Sequence, residues 1–227
     1  MAYNGRHPSI DEGEEAMDVQ LSPADTASSS VSRAELEEMM RRWLDANRRA
    51  EETGDWKTTL GAHYTDDAEY RWDLGPDQTF VARGVQEIRD IAIGVQMDGF
   101  DGWSYPYERV IIDDHQGEVV AFWRQVSPFK RPDGTPYEVP GLSGSWFKYG
   151  GDYKWSHQRD FFDLGCVIAT LRDLAAVGLL PAPLKAKMQM LARGHRMAGY
   201  EDRPERAGAL DKLRGNLALA RIALLGR

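Results

Sequence analysis

The chain has 227 residues, 42% of them apolar, which suits one good-sized globular domain with an extension and a true core. Its 36 acidic and 28 basic side chains give a formal net charge of -8, a balance that repels phosphate backbones and anionic lipid surfaces; neither nucleic acid nor membrane is an expected partner. Cys166 is the only cysteine, which excludes an internal disulfide and a thiolate metal cluster and fits a reducing, cytoplasmic setting.

Residues 1–30 are polar, acidic and serine-rich, so they read as a disordered tail; with Asp11, Glu12, Glu14 and Glu15 and no apolar run, they do not read as a secretory signal. Ser32 and Glu35 form a capping box that opens an amphipathic helix to about Glu52, with Leu36, Met39, Met40, Trp43, Leu44 and Asn47 at helical spacing. Gly54 stops it. Asp55 caps a short second helix carrying Trp56, Leu60 and Tyr64, and Thr65, Asp66 and Asp67 are expected to form a turn. Residues 68–74 and 79–82 read as a strand pair around Gly75-Pro76-Asp77, and Gly84 admits a third helix from Val85 to about Met97.

Four aromatic and β-branched segments follow, residues 105–112, 119–126, 141–149 and 153–162, separated by turn-forming clusters, and they read as an antiparallel meander. Helices on one side of a long curled sheet make an α+β architecture with a hollow between the layers. The pattern then turns helical, with apolar stripes at 164–177, 184–197 and 207–225 broken by Pro181, Pro183, Gly199 and Pro204. The expected division is therefore a tail over 1–30, an α+β domain over 31–165 and a helical extension over 166–227. The extension packs on the core, on a second subunit or over the pocket mouth.

Gly54-Asp55-Trp56 and His63-Tyr64-Thr65-Asp66-Asp67-Ala68-Glu69-Tyr70 resemble the "GDW…FADDAVY" signature of the nuclear transport factor 2-like superfamily. Ala82-Arg83-Gly84 adds to it, and Trp155 to Asp163, reading WSHQRDFFD, is similar to the "WRDYFD" strand of limonene epoxide hydrolases. The resemblance covers roughly residues 32 to 165. It implies a cone-shaped, cystatin-like α+β barrel of the SnoaL-like branch, three N-terminal helices packed on a curved mixed sheet. Chemistry does not follow from it, because this fold hosts hydrolases, isomerases, cyclases, dehydratases and inert binding modules.

Strand alternation puts Ser156, Gln158, Asp160 and Phe162 on one face and Trp155, His157, Arg159 and Phe161 on the other, without saying which is inside. The resemblance puts the family's catalytic aspartate at Asp160, with Gln158 and Phe162 beside it in the cavity. A carboxylate among aromatic rings is desolvated and its pKa rises, so it can act as a general acid or base near neutral pH. An ion-paired or solvated strand-end aspartate is the competing reading. Related enzymes hold a water or a substrate oxygen at the positions of Tyr70 and Trp72; Tyr70 matches and Trp72 does not. Asp73 could turn inward if the strand is bulged near Gly75. Where hydrolases of this type carry an arginine and an aspartate, the chain has Trp123 and Gln125, so their acid–base relay is incomplete; Gln125 retains the capacity to orient a substrate oxygen.

The expected catalytic set is Asp160, Tyr70 and Gln125. Trp72, Asp73, Trp123, Phe147, Tyr149, Gln158 and Phe162 are expected around the substrate, which the aromatic walls suggest to be a small, flat or terpenoid-like apolar molecule bearing oxygen. His157 falls opposite Asp160, and His63 beside Asp66, Asp67 and Glu69 reads as a cap or surface residue, so no metal is expected. No glycine run has nucleotide-binding spacing, and no cofactor is expected. The reaction implied is isomerisation, cyclisation, dehydration or hydrolysis; the alternative is a non-catalytic binding or assembly module. The row Trp155, His157 and Phe161 beside Phe122 is expected to face outward and to bury itself in a homodimer.

Overall fold

A computed structural model describes residues 31–193, 195–203 and 208–225; the expected tail, 1–30, lies outside the described residues. Helix α1, Arg33–Thr53, starts where the Ser32 side chain accepts the Glu35 amide and stops at Gly54, whose φ of 72° lets its amide return to the Ala50 carbonyl. Its buried stripe is Leu36, Met39, Met40, Trp43, Ala46, Asn47 and Ala50. Asp55 caps the short α2, Trp56–Gly61.

Strand β1, Tyr64–Leu74, begins four residues earlier than the sequence suggests. The expected turn at Thr65, Asp66 and Asp67 is therefore strand, and Tyr64 belongs to β1 rather than to α2. Asp66 and Asp67 are exposed while Tyr64 and Ala68 are buried, so solvation of polar side chains on an irregular strand looks locally like turn composition. Strand β2, Gln78–Arg83, follows, and the third helix is broken up: one turn of α3, Gly84–Glu87, widens over Ile88–Ala92, where the Ile93 amide bonds back to the Ile88 carbonyl.

The meander is β3, Tyr107–Asp113, β4, Glu118–Trp123, then after an excursion β7, Gly144–Gly151, and β8, Lys154–Phe161. The excursion is a separate hairpin of β5, Gln125–Lys130, and β6, Pro136–Val139. Arg124 interrupts the expected single strand, exposed and hydrogen-bonded to Glu138. A final short strand β9, Tyr200–Asp202, completes a seven-stranded mixed sheet of order β3-β4-β7-β8-β1-β2-β9, in which only β8 and β1 run parallel. Helices and one face of this curved sheet share a core that joins Leu36, Met39 and Trp43 to Phe80, Ile88, Phe147 and Trp155. The α+β class and the curved sheet stand as expected.

One face assignment is corrected. Trp155 is fully buried, because Tyr149 pairs with Trp155 and Lys148 with His157, which leaves Ser156 as an extra bulge residue and reverses the alternation there. Of the row expected outside, His157 packs on Trp146 and Phe161 on Phe122, and Trp155 is lost to the core. Beyond β8, helices α4, Leu164–Ala176, and α5, Ala182–Ala192, close over one end of the core and bury Leu171, Leu174 and Leu184 with Trp103, Tyr137 and Val139. Helix α6, Ala209–Leu225, presents Leu210, Leu213, Leu217, Leu219, Ile222 and Leu224 to solvent. Among the described residues no helix is long and apolar enough to cross a membrane.

Candidate active site

Past the bulge, β8 resumes strict alternation and turns Gln158 and Asp160 inward, in register with Tyr70 and Trp72 on β1 and with Phe147 and Ser145 on β7. Asp160 thus has one neighbouring strand on each side. The Tyr70 hydroxyl donates to its Oδ2 at 2.5 Å, and the Ser145 hydroxyl and the Gln158 amide donate to its Oδ1 at 2.6 and 2.8 Å. Behind these, Trp123 Nε1 donates to Ser145 Oγ at 2.9 Å, and the Tyr64 hydroxyl donates to Gln158 Oε1. Because an indole nitrogen only donates, each of these bonds is directed toward the carboxylate.

No cation takes part in this network. Burial raises the Asp160 pKa above the ordinary carboxylate value, and the bonds from Gln158, Ser145 and Tyr70 oppose that rise without cancelling it. Burial also holds the Tyr70 and Tyr64 hydroxyls far above the usual phenol value, with the Asp160 charge adding to it, so both stay protonated donors at neutral pH.

Asp160 lies where two hollows meet. The larger, about 350 Å³, is walled by Trp72, Trp123, Phe100, Phe162 and Tyr105 and closed by Val167, Ile168, Leu171, Leu184 and Met188 from α4 and α5. The smaller, about 100 Å³, is richer in polar groups, with Asn47, Tyr64, Tyr107, Ser145 and Gln158 beside the apolar Trp43, Leu60 and Ile93. Tyr70, Tyr105, Trp123 and Asp160 line both. Among the residues lining the two hollows Asp160 is the only carboxylate and Lys187 the only cation.

Of the residues expected at the site, Asp160, Tyr70, Gln125, Trp72, Trp123, Gln158 and Phe162 are brought together on these walls. Gln125 stands further from the carboxylate and reaches the Tyr105 hydroxyl at 3.5 Å. Three expected residues lie elsewhere. Asp73 points to the outer face, where Arg159 at 2.7 Å and Arg203 hold it; partial burial pulls its pKa up, but these two cations outweigh that and lower it. No bulge turns it inward, since β1 and β2 pair without a break through Asp73 and Thr79. Phe147 is sealed in the core between Trp43 and Trp155, with ring centroids 5.3 and 4.7 Å away. Tyr149 lies one pleat further on, and its hydroxyl bonds to Glu35 on α1. Both are on the inward face, but α1 fills the space above them.

Ser145, Tyr64 and Tyr105 were not singled out from the sequence, nor were the cavity-lining residues of α4 and α5. The alternation Ser145, Phe147 on β7 was the available signal for the first of them. His63 is partly buried against Trp43, which lowers its pKa, and His157 faces Glu69 on the outer side; neither reaches Asp160. Among the described residues no group of three or more His, Cys, Asp or Glu is placed to hold a metal ion.

No family model matches the chain, and no curated protein matches it. Solved structures similar to it include a nuclear transport factor 2-like protein from Anabaena variabilis, 18% identical over 60% of this chain and 96% of that one, with a TM-score of 0.45. A SnoaL-like protein of unknown function from Burkholderia thailandensis is 15% identical over 59% of this chain and 98% of that one, with a TM-score of 0.42. An LEH-like epoxide hydrolase from M. tuberculosis is 20% identical over 64% of this chain and 96% of that one, with a TM-score of 0.45. These neighbours are of the kind the sequence motifs resemble.

Proposed function

We propose that the chain is a cofactor-independent enzyme in which Asp160 transfers a proton to or from a small, apolar, oxygen-bearing substrate. The observation that carries this reading is a desolvated carboxylate without a cationic partner, held by neutral donors at the junction of an apolar cavity and a smaller recess richer in polar groups. Asp73, by contrast, is held on the outer face by Arg159 and Arg203, which keep it ionised.

With one carboxylate on the walls, the chemistry that balances most simply is one in which the same group takes a proton and returns it. Asp160 accepts a proton from a carbon next to a carbonyl; as the carboxylate is neutralised, the Tyr70 hydroxyl that donated to it is freed to turn toward the oxygen on which charge develops; the protonated Asp160 then delivers the proton elsewhere on the substrate. Isomerisation and cyclisation fit this pattern. Hydrolysis needs a second acid, and a phenol whose pKa is driven up is a poor one. Trp72, Trp123 and Phe162 give a flat ring system large contact area at little entropic cost.

The test is Asp160→Asn, assayed beside the parent against steroid enones, polyketide-like ring precursors and epoxides. The parent should turn over a member of the first two groups and the variant should be slower by about a hundredfold or more. Equal turnover by the two proteins would remove the catalytic assignment. A parent that binds such molecules and converts none would establish the second reading, a binding module, which the absence of any second carboxylate on the cavity walls favours.

A further inference from the structure

The cavity has a second polar end, away from Asp160. Lys187 on α5 lines it, and its ammonium donates to the backbone carbonyls of Gln96 at 3.0 Å and Asp98 at 2.8 Å. An ammonium has three hydrogens, so these two bonds leave one with no hydrogen-bond acceptor; the remaining contact is the Phe100 ring, its centroid 5.9 Å from Nζ. Among the described residues no carboxylate forms an ion pair with it; Asp98 bonds through its backbone oxygen, and its side-chain charge acts on the ammonium only at longer range. Partial burial lowers the Lys187 pKa, and the Asp98 charge opposes that without cancelling it.

A second observation at the same place is independent of the lysine. The side-chain amide nitrogen of Gln96, another lining residue, is shielded from solvent and has no hydrogen-bond partner. The Tyr200 hydroxyl lies beside this amide and interacts with it weakly, opposing the rise that burial gives the Tyr200 pKa, but in a geometry short of a full hydrogen bond. A buried amide donor left unsatisfied is destabilising, so such a group in a native fold calls for an acceptor that completes it. Here a donor and a cation, both incompletely satisfied, meet at one end of an otherwise apolar cavity.

We infer that the Gln96–Lys187 end of the cavity binds a carboxylate of the ligand, so the substrate class is an apolar acid whose far end presents its reacting oxygen or carbon to Asp160. This rests on the reading of the cavity as a small-molecule site and narrows its occupant. The carboxylate supplies two acceptor oxygens, one for the free hydrogen of Lys187 and one for Gln96 Nε2, and restores the charge balance that burial of the lysine disturbs. The end of the ligand held by α5 is outside the seven-stranded sheet, so residues 182–192 set which acids are accepted while the sheet sets what is done to them.

Calorimetric titration of the full chain with a panel of apolar acids, each beside its methyl ester, tests this; naphthylacetate and decanoate are two of the pairs. At least one acid should bind about tenfold or more tighter than its ester, as expected for a charge-assisted pair in a partly desolvated site. Lys187→Met should abolish that preference, acid and ester then binding alike, and Gln96→Leu should reduce it. If no acid exceeds its ester by more than about threefold, the level of a solvent-exposed pair, the proposal is overturned. It is also overturned if the preference survives in both variants. Asp160→Asn should retain the preference, so failure of the acid–base assignment and failure of the carboxylate end are read separately.

Discussion

At Asp160 burial favours the neutral acid, hydrogen bonds from Gln158, Ser145 and Tyr70 favour the carboxylate, and the net pKa is raised. An acid whose folded pKa exceeds its unfolded one holds more protons when folded, so its contribution to stability is complete below the unfolded value and is lost as pH rises through the folded one. Asp160→Asn is neutral throughout; it should melt at or above the parent's temperature near pH 7, and the difference should shrink toward about pH 4, which thermal melts over pH will show. A variant that melts well below the parent at neutral pH would mark Asp160 as a structural ion. Tyr70→Phe removes a bond that lowers the Asp160 pKa, so the carboxylate limb of the pH–rate profile should move to higher pH while the rate falls on the order of a hundredfold. An unmoved limb would separate Tyr70 from Asp160. Asp160 and Tyr70 were legible because each stands in a motif with a resemblance behind it. Ser145 was not, because a serine between Gly144 and Trp146 acquires its role only through the register that pairs it with Asp160 across β7 and β8.

Strand β8 shows where reading by period fails. From Gln158 onward every second residue faces in, as alternation requires, but the bulge at Ser156 shifts Trp155 to the inside, and no composition signal in Tyr153-Lys154-Trp155-Ser156 announces it. Had Trp155 been outward, its removal would change stability by less than about 0.5 kcal/mol; sealed against Phe147 and Trp43, Trp155→Ala should cost about 3 to 5 kcal/mol in denaturant unfolding. A cost near zero would contradict the buried position. Helix α1 and the four meander strands were legible because their apolar spacing agrees with their caps and turns. The start of β1 was not, since Thr65, Asp66 and Asp67 carry turn-type side chains on a strand whose pairing with β8 is irregular between Tyr64 and Glu69.

For the molecule as a whole, the sequence left three places open for residues beyond 163, and the structure puts α4 and α5 on the core and over the cavity at once. The homodimer remains a proposal with a smaller motive, because Trp155 no longer belongs to the outward row and Phe122 with Phe161 is the apolar contact left there; sedimentation at micromolar concentration should show a dimer, and a monomer would remove it. The two parts of the extension differ in what they bury. Leu171, Leu174 and Leu184 complete a cluster with Trp103, Tyr137 and Val139, and Val167, Ile168 and Met188 wall the cavity. By contrast α6 leaves Leu210, Leu213, Leu217, Leu219 and Leu224 exposed, and among the described residues its ion pair to the domain is a surface one, Lys212 with Asp77, of a kind worth at most about 1 kcal/mol. A chain ended after Arg203 should therefore keep both the parent's melting temperature and its ligand affinity. A chain ended after Asp163 uncovers the second cluster and opens the cavity to water, so it should bind no apolar ligand and should melt early or aggregate. Thermal melts and calorimetric titration of the two truncations decide this: equal behaviour of the shorter chain and the parent would show that the cavity needs no cover from α4 and α5.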